Sequence, residues 1–262
     1  MNSLKMYQVD AFANEIFSGN PAAVCPLEEW LPDQVMQSIA MENNLSETAF
    51  FIRQQGKYLI RWFTPEIEIG LCGHATLAAA HILYSELGLQ TNDFEFHTKN
   101  RDVLKIKREE EIIAMDFPSH APKEANQDID EISDALQLKP VSFLSGLYGL
   151  AVFENESQVL KLEPNLAAIK NLDHEGIIVT APSTSVDFVS RFFGPKLGIP
   201  EDPVTGGAHC VLIPYWSERL NKKHMKAKQI SKRGGELYCH QHEGRVTIGG
   251  KATTYLRGEI LL

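Results

Sequence analysis

GHATLAAAHILYSEL, residues 73–87, and GGAHCVLIPYWSERL, residues 206–220, are the two segments from which the architecture follows. Each opens on glycine and is apolar around almost its whole circumference. In the first, Ala75, Ala78, Ala79 and Ala80 leave little side chain on any face. A helix of this kind belongs in the centre of a domain, not on its surface.

The flanking sequence reads as strands. KMYQVDAF (5–12) alternates apolar and polar, and TAFFI (48–52) and YLIRWF (58–63) are strand-like runs joined by a QQGK turn. A helix is expected from near Leu31, with Pro32 in its first turn and Asn43 and Asn44 as terminators. Residues 94–117 return to alternation. PSHAPKEANQDIDE (118–131) is the linker candidate, with two prolines and no apolar period. Beyond it the outline repeats. Short helices near 130–137 and 165–171 precede strands in VSFLSGLYGLAVF, GIIVTAP and DFVSRFF, then the second glycine-started helix. Hairpins follow, with turns expected at Arg233-Gly234-Gly235, Glu243-Gly244 and Gly249-Gly250. Two strand-rich halves around one buried helix each point to an internal duplication. A single mixed α+β domain is the alternative.

Composition sets the outer limits. The chain has 262 residues, of which 44 % are hydrophobic and 23 % charged, within the ordinary range of globular proteins. Its net charge is −9, which argues against a general nucleic-acid binder. No apolar run reaches the ~18 residues of a membrane span. The N-terminus lacks a signal-peptide pattern, and the four scattered cysteines (Cys25, Cys72, Cys210 and Cys239) fit reduced thiols in a cytoplasmic protein. Neither a Rossmann fingerprint nor a P-loop is present.

Chemistry is expected at the two helix starts. Exposed amides and a partial positive charge suit a carboxylate, and Gly73, Gly206 and Gly207 let a ligand approach the backbone. The same glycines also serve tight turns without any ligand. Glu47, in LSETAFFI, sits against Phe50 and Phe51. Loss of hydration there favours a carboxyl that both accepts and donates a proton near neutral pH, although a capping or surface glutamate fits the same spacing. Asp202, in GIPEDPVTGG, stands at the mouth of the second helix and is either a substrate contact or turn chemistry. His74 lies in the first turn of the first helix, where the dipole favours a neutral ring. His240 and His242 share a strand face, but two ligands make no metal site and no third is evident, so no metal is expected.

The motifs VDAF, FSGNPAAVC, LSETAFF, FTPEIEIGLCGHATLAAA and EDPVTGGAHC, in this order, resemble the PhzF-like family of phenazine-biosynthesis isomerases, from about Val9 to the C-terminal GEI. The resemblance implies an α+β fold like that of diaminopimelate epimerase. It has two pseudo-symmetric lobes, each a curved, mostly antiparallel sheet around a central helix, with the active site between them. The N-terminal lobe would span 1–117 and recover a strand at 251–262; the C-terminal lobe would span 118–250. The resemblance also implies Glu47 as general acid/base, His74 and Asp202 as pocket residues, and Asn20 at the same cleft. It implies no cofactor, a homodimer, and a small carboxylate-bearing substrate like a cyclic dihydro-hydroxyanthranilate, whose double bond shifts as a proton moves. Diaminopimelate epimerase uses a cysteine before each glycine-started helix. Here Cys72 keeps the first place and the second has no thiol. Gly207 stands where the family often has serine, so a hydroxyl contact is lost while the backbone N–H remains. An amino-acid epimerase and a non-catalytic small-anion binder are the rival readings.

Overall fold

The computed structural model describes residues 3–262, the side chain of Gln127 excepted. The chain forms two compact units: residues 1–116 with 249–262, and residues 117–248.

The first unit contains β1 (Ser3–Ala11), β2 (Asn20–Leu27), α1 (Asp33–Asn43), β3 (Glu47–Gln54), β4 (Lys57–Phe63), β5 (Glu68–Ile69), α2 (Gly73–Ser85), β6 (Asp93–Thr98), β7 (Val103–Glu109) and most of β8 (Ile112–Pro118). The second contains β9 (Lys123–Glu124), α3 (Ile129–Leu136), β10 (Ser142–Ser145), β11 (Gly149–Val152), α4 (Glu156–Lys161), α5 (Leu166–Asn171), β12 (Ile177–Pro182), β13 (Phe188–Gly194), β14 (Ile199–Asp202), α6 (Gly206–Leu220), β15 (His224–Gln229), β16 (Gly235–Gln241) and most of β17 (Arg245–Gly250). The last strand, β18 (Ala252–Leu261), returns to the first unit and pairs antiparallel with β1.

The two sheets follow one pattern. In the first unit β1 and β2 are antiparallel, β2 and β3 parallel, β3 and β4 antiparallel, β4 and β6 parallel, and β6 and β7 antiparallel. In the second unit β10, β11, β12, β13, β15 and β16 repeat that series step for step. A short edge strand pairs with the fourth strand in each: β5 on β4, β14 on β13. It leads in both cases into the buried helix. The parallel joins require crossovers, supplied by α1 and α2 in one unit and by α4, α5 and α6 in the other. The fold is mixed α+β and dominated by sheet, with the duplication visible in connectivity.

Helix α2 buries ten of its thirteen residues, against β1, β2, β3 and β18. α6 buries nine of fifteen. Fully buried aromatics, Phe50 and Phe63 in the first unit and Phe143, Phe153 and Phe193 in the second, fill the outer layers where other helices pack.

Four local expectations change. α1 starts at Asp33, and Pro32 is its N-cap at φ −53°, ψ 140°: an extended ψ keeps this proline outside the first turn. The 118–131 segment is no free linker. It contributes β9 to the sheet beside β10, and the His120 amide donates to the Cys210 carbonyl. Gly249 and Gly250 lie within β17 rather than in a turn. Gly250 is required by packing, since a Cβ there would collide with the Phe12 ring. Helix α4 was not anticipated, although Asn155 and Gln158 close a capping box at its start.

Candidate active site

Glu47 is the first residue of β3, in register with Ala22 of β2, and is only 7 % exposed. His74 is the second residue of α2, and its Nε2 lies 2.9 Å from Glu47 Oε2. On the other side of the ring, Asn20 Nδ2 lies 3.3 Å and Cys72 Sγ 3.5 Å from Nδ1. Asn20 opens β2 and is fully buried. Its placement depends on Gly19, at φ 66°, where a Cβ would strike the Ala11 carbonyl. Three distant motifs, Gly-Asn-Pro, Ser-Glu-Thr and Cys-Gly-His, therefore meet at one imidazole.

The electrostatics of this cluster are set by mutual contact. Burial disfavours a protonated His74, but the adjoining Cys72 sulfur and Glu47 carboxylate together lift the ring well above its ordinary value. The helix dipole favours a neutral ring, and the adjoining Cys72 and Glu47 act in the opposite sense. Burial, then Glu47, pushes the Cys72 thiol up. Asn20 can offer either amide nitrogen or carbonyl oxygen to Nδ1, so it can serve His74 in both protonation states. The contact between Glu47 Oε2 and His74 Nε2 is close but off the N–H axis, leaving both buried atoms without an aligned hydrogen bond. A reacting group can take up that unused capacity. Glu47, Cys72 and His74 also offer ligand atoms within 4.8 Å of one another, a spacing that would accept a metal ion.

Gly73 is the first residue of α2, whose N-cap, Cys72, makes no side-chain capping bond. The first-turn amides beside Glu47 thus have no side-chain cap.

The remaining predicted residues gather in the second unit. Asp202 ends β14, and Thr205 Oγ1 donates to its Oδ2 at 2.6 Å. Thr205 is the N-cap of α6 and also makes no capping bond of its own. Gly206 and Gly207 are the first two residues of that helix. Gln229, at the end of β15 and fully buried, orders this start. It accepts from the Thr205 amide at 2.9 Å and donates to the Asp202 carbonyl at 2.7 Å. The sequence carries no signal for Gln229, which looks like any polar residue at a strand end. Nor does it signal Tyr148, whose hydroxyl lies 3.2 Å from where a Cβ on Gly207 would stand. A hydroxyl is therefore present beside residue 207, brought by a different residue.

Cys72 and Thr205 hold matching places, the N-caps of the two central helices. The second unit thus has a hydroxyl where a two-thiol racemase needs sulfur. Its nearest cysteine in sequence, Cys210, is buried in α6, and burial pushes it up to about 12.

The family model described as phenazine biosynthesis-like protein matches residues 9–258. The chain belongs to the PhzC-PhzF family. It is an isomerase by that membership. A protein of Pseudomonas aeruginosa named as an uncharacterized isomerase is 48 % identical over 260 residues, covering 99 % of each chain. One from Halalkalibacterium halodurans, named in the same way, is 45 % identical over 266 residues and covers 100 % of both. The crystal structure of a PhzF-family protein from Enterococcus faecalis superposes with a TM-score of 0.97 at 48 % identity, over 100 % of each chain. A predicted epimerase of P. aeruginosa, 20 % identical, shares the fold with a TM-score of 0.78 over 99 % of both chains. No helix among the described residues of this PhzF-family chain is long and apolar enough to cross a membrane.

Proposed function

We propose that this protein is a cofactor-independent isomerase that moves a proton, and with it a double bond, within a small cyclic substrate bearing a carboxylate. Glu47 is the base. It takes a proton from a ring carbon, the electron pair of that C–H bond becomes part of a shifted double bond, and the protonated carboxyl returns the proton to another ring carbon. Atoms and charge balance without an external acceptor. His74, in contact with Glu47, steadies the carboxylate and adjusts as its charge changes. The first-turn amides of α2 suit the substrate carboxylate. Asp202, Gly206 and Gly207 are assigned to the same substrate as contacts, on family resemblance and on the ordered start of α6.

The observation that carries this reading is Glu47 itself: nearly dry, 2.9 Å from an imidazole, with one oxygen lacking an aligned partner. A capping or surface glutamate has none of these features. Thr205 in the place of a second cysteine turns the reading away from two-thiol racemisation.

The test replaces Glu47 by Gln and follows a dihydro-hydroxyanthranilate in deuterated water. The expected result is a loss of about 10²–10⁴-fold in kcat, the usual range for general acid/base catalysis, with ligand binding retained. Deuterium enters the product of the wild type, at the carbon that is reprotonated, only to the extent that the carboxyl proton exchanges with solvent before its return. A Glu47→Gln variant turning over at near wild-type rate rejects the assignment.

A further inference from the structure

Three histidines that play no part in the proposed reaction converge on one edge of the second unit. β15 and β16 pair antiparallel, with His224 directly opposite His240. Their rings stack with centroids 3.7 Å apart and planes 20° from parallel. His242 lies two residues further along, on the same outward face, with its ring centroid 3.9 Å from that of His240. Met225, Ala227, Leu237 and Cys239 point the other way, into the core. Sequence reading sees only His240-x-His242. The third member comes from strand register, sixteen residues upstream of His240.

We propose that His224, His240 and His242 form a surface site for a divalent transition-metal ion. The donor set is three imidazole nitrogens without thiolate or carboxylate, which suits Zn²⁺, Ni²⁺ or Cu²⁺ rather than Mg²⁺ or Ca²⁺. One ligand is already oriented: His242 Nε2 and Thr247 Oγ1 are 2.7 Å apart. An Nε2–H donated to that hydroxyl leaves the Nδ1 lone pair for the ion, the arrangement by which outer partners set the tautomer of metal-binding histidines. The rings of His224 and His240 stack and that of His242 is tilted, so the three sets of ring nitrogens do not converge as the ligand atoms of Glu47, Cys72 and His74 do. His224 and His242 are exposed and His240 half-buried, so rotation between staggered wells is open to them. Opposed and diagonal positions on paired strands lie close enough for long side chains to meet.

The experiment titrates untagged, full-length protein with ZnCl₂ in a non-chelating buffer, followed by calorimetry. Saturable binding of one equivalent is expected. His240→Asn should weaken it by more than about 100-fold, and Thr247→Val, which removes only the outer partner, by about tenfold. His224→Gln should match His240→Asn, while circular dichroism confirms that these surface variants stay folded. A Cys72→Ser variant keeps the ion if the site is the histidine edge. Absence of saturable binding in the wild type overturns the proposal. So does binding that survives His240→Asn but is lost with Cys72→Ser, which would place the ion at Glu47, Cys72 and His74 instead.

Discussion

Protonation at His209 makes a residue-scale prediction separable from catalysis. His209 lies in the first turns of α6, fully buried, with Nδ1 2.8 Å from the Thr205 carbonyl and Nε2 without a partner. Burial pushes it from 6.5 down to about 4, so the folded protein holds a neutral ring that the unfolded chain protonates more readily. Stability from this residue is complete above the unfolded pKa and is lost as pH falls toward the folded one. Between roughly pH 7.5 and pH 5 the loss is on the order of 2 kcal/mol. Urea midpoints at these two pH values should differ more for the wild type than for His209→Phe. Equal acid sensitivity of the two would show that His209 is not the group responsible. The residue was legible only as part of the motif EDPVTGGAHC. Its neutrality follows from depth, which no sequence pattern reports.

At the scale of elements, the duplication reaches single side chains. Arg61 of β4 grips Glu68 of β5 through Nε and Nη2, at 2.7 and 2.8 Å. Arg191 of β13 grips Glu201 of β14 through the same two nitrogens, at 2.7 and 3.1 Å. Each fork pins the short strand that leads into a central helix. Each arginine also holds a flanking helix: Arg61 meets Asp33 at the start of α1, and Arg191 meets the carbonyls of Val159 and Leu162 at the end of α4. Arg61 draws Glu68 below the usual carboxylate range. Both guanidiniums are largely buried; Glu68 keeps Lys99 at 2.7 Å if Arg61 is removed, whereas removing Arg191 leaves Glu201 without a cation among the described residues. Arg191→Met should lower the unfolding free energy by about 3 kcal/mol, and Glu201→Gln by about 1–2 kcal/mol, measured by denaturant titration. A change below about 0.5 kcal/mol in both would mean that the fork is no stronger than an ordinary surface pair. The sequence shows Arg-aromatic followed by a glutamate in both halves, but distances of seven and ten residues conceal the equivalence.

For the whole molecule, one topology used twice has produced unequal halves. The first unit holds the carboxylate, imidazole and thiol cluster, while the second holds Asp202, Thr205 and the Tyr148 hydroxyl. That both serve one reaction is a proposal with a kinetic test. Glu47→Gln, Asp202→Asn and the double variant form a cycle in kcat/KM. Groups that act on one substrate as a set lose more singly than they add together. The double variant should therefore be little slower than Glu47→Gln alone. Strict multiplication of the two single losses would assign Asp202 to an independent role.

What the sequence determined was local in origin. Alanine and glycine content marked both central helices as buried, alternation marked the strands, and the linear order of five motifs marked the family. Side-chain size, φ preference and periodicity act over a few residues, and that suffices for elements. The tertiary structure alone decided which of them touch. It brought Asn20 to His74 across 54 positions, Gln229 to Thr205 across 24, and His224 to His240 through strand register. It also set Cys72 and Glu47 against His74, where they oppose the preference of the helix dipole for a neutral ring. Such encounters depend on register and burial, which are properties of the packed sheet and not of any short stretch of chain.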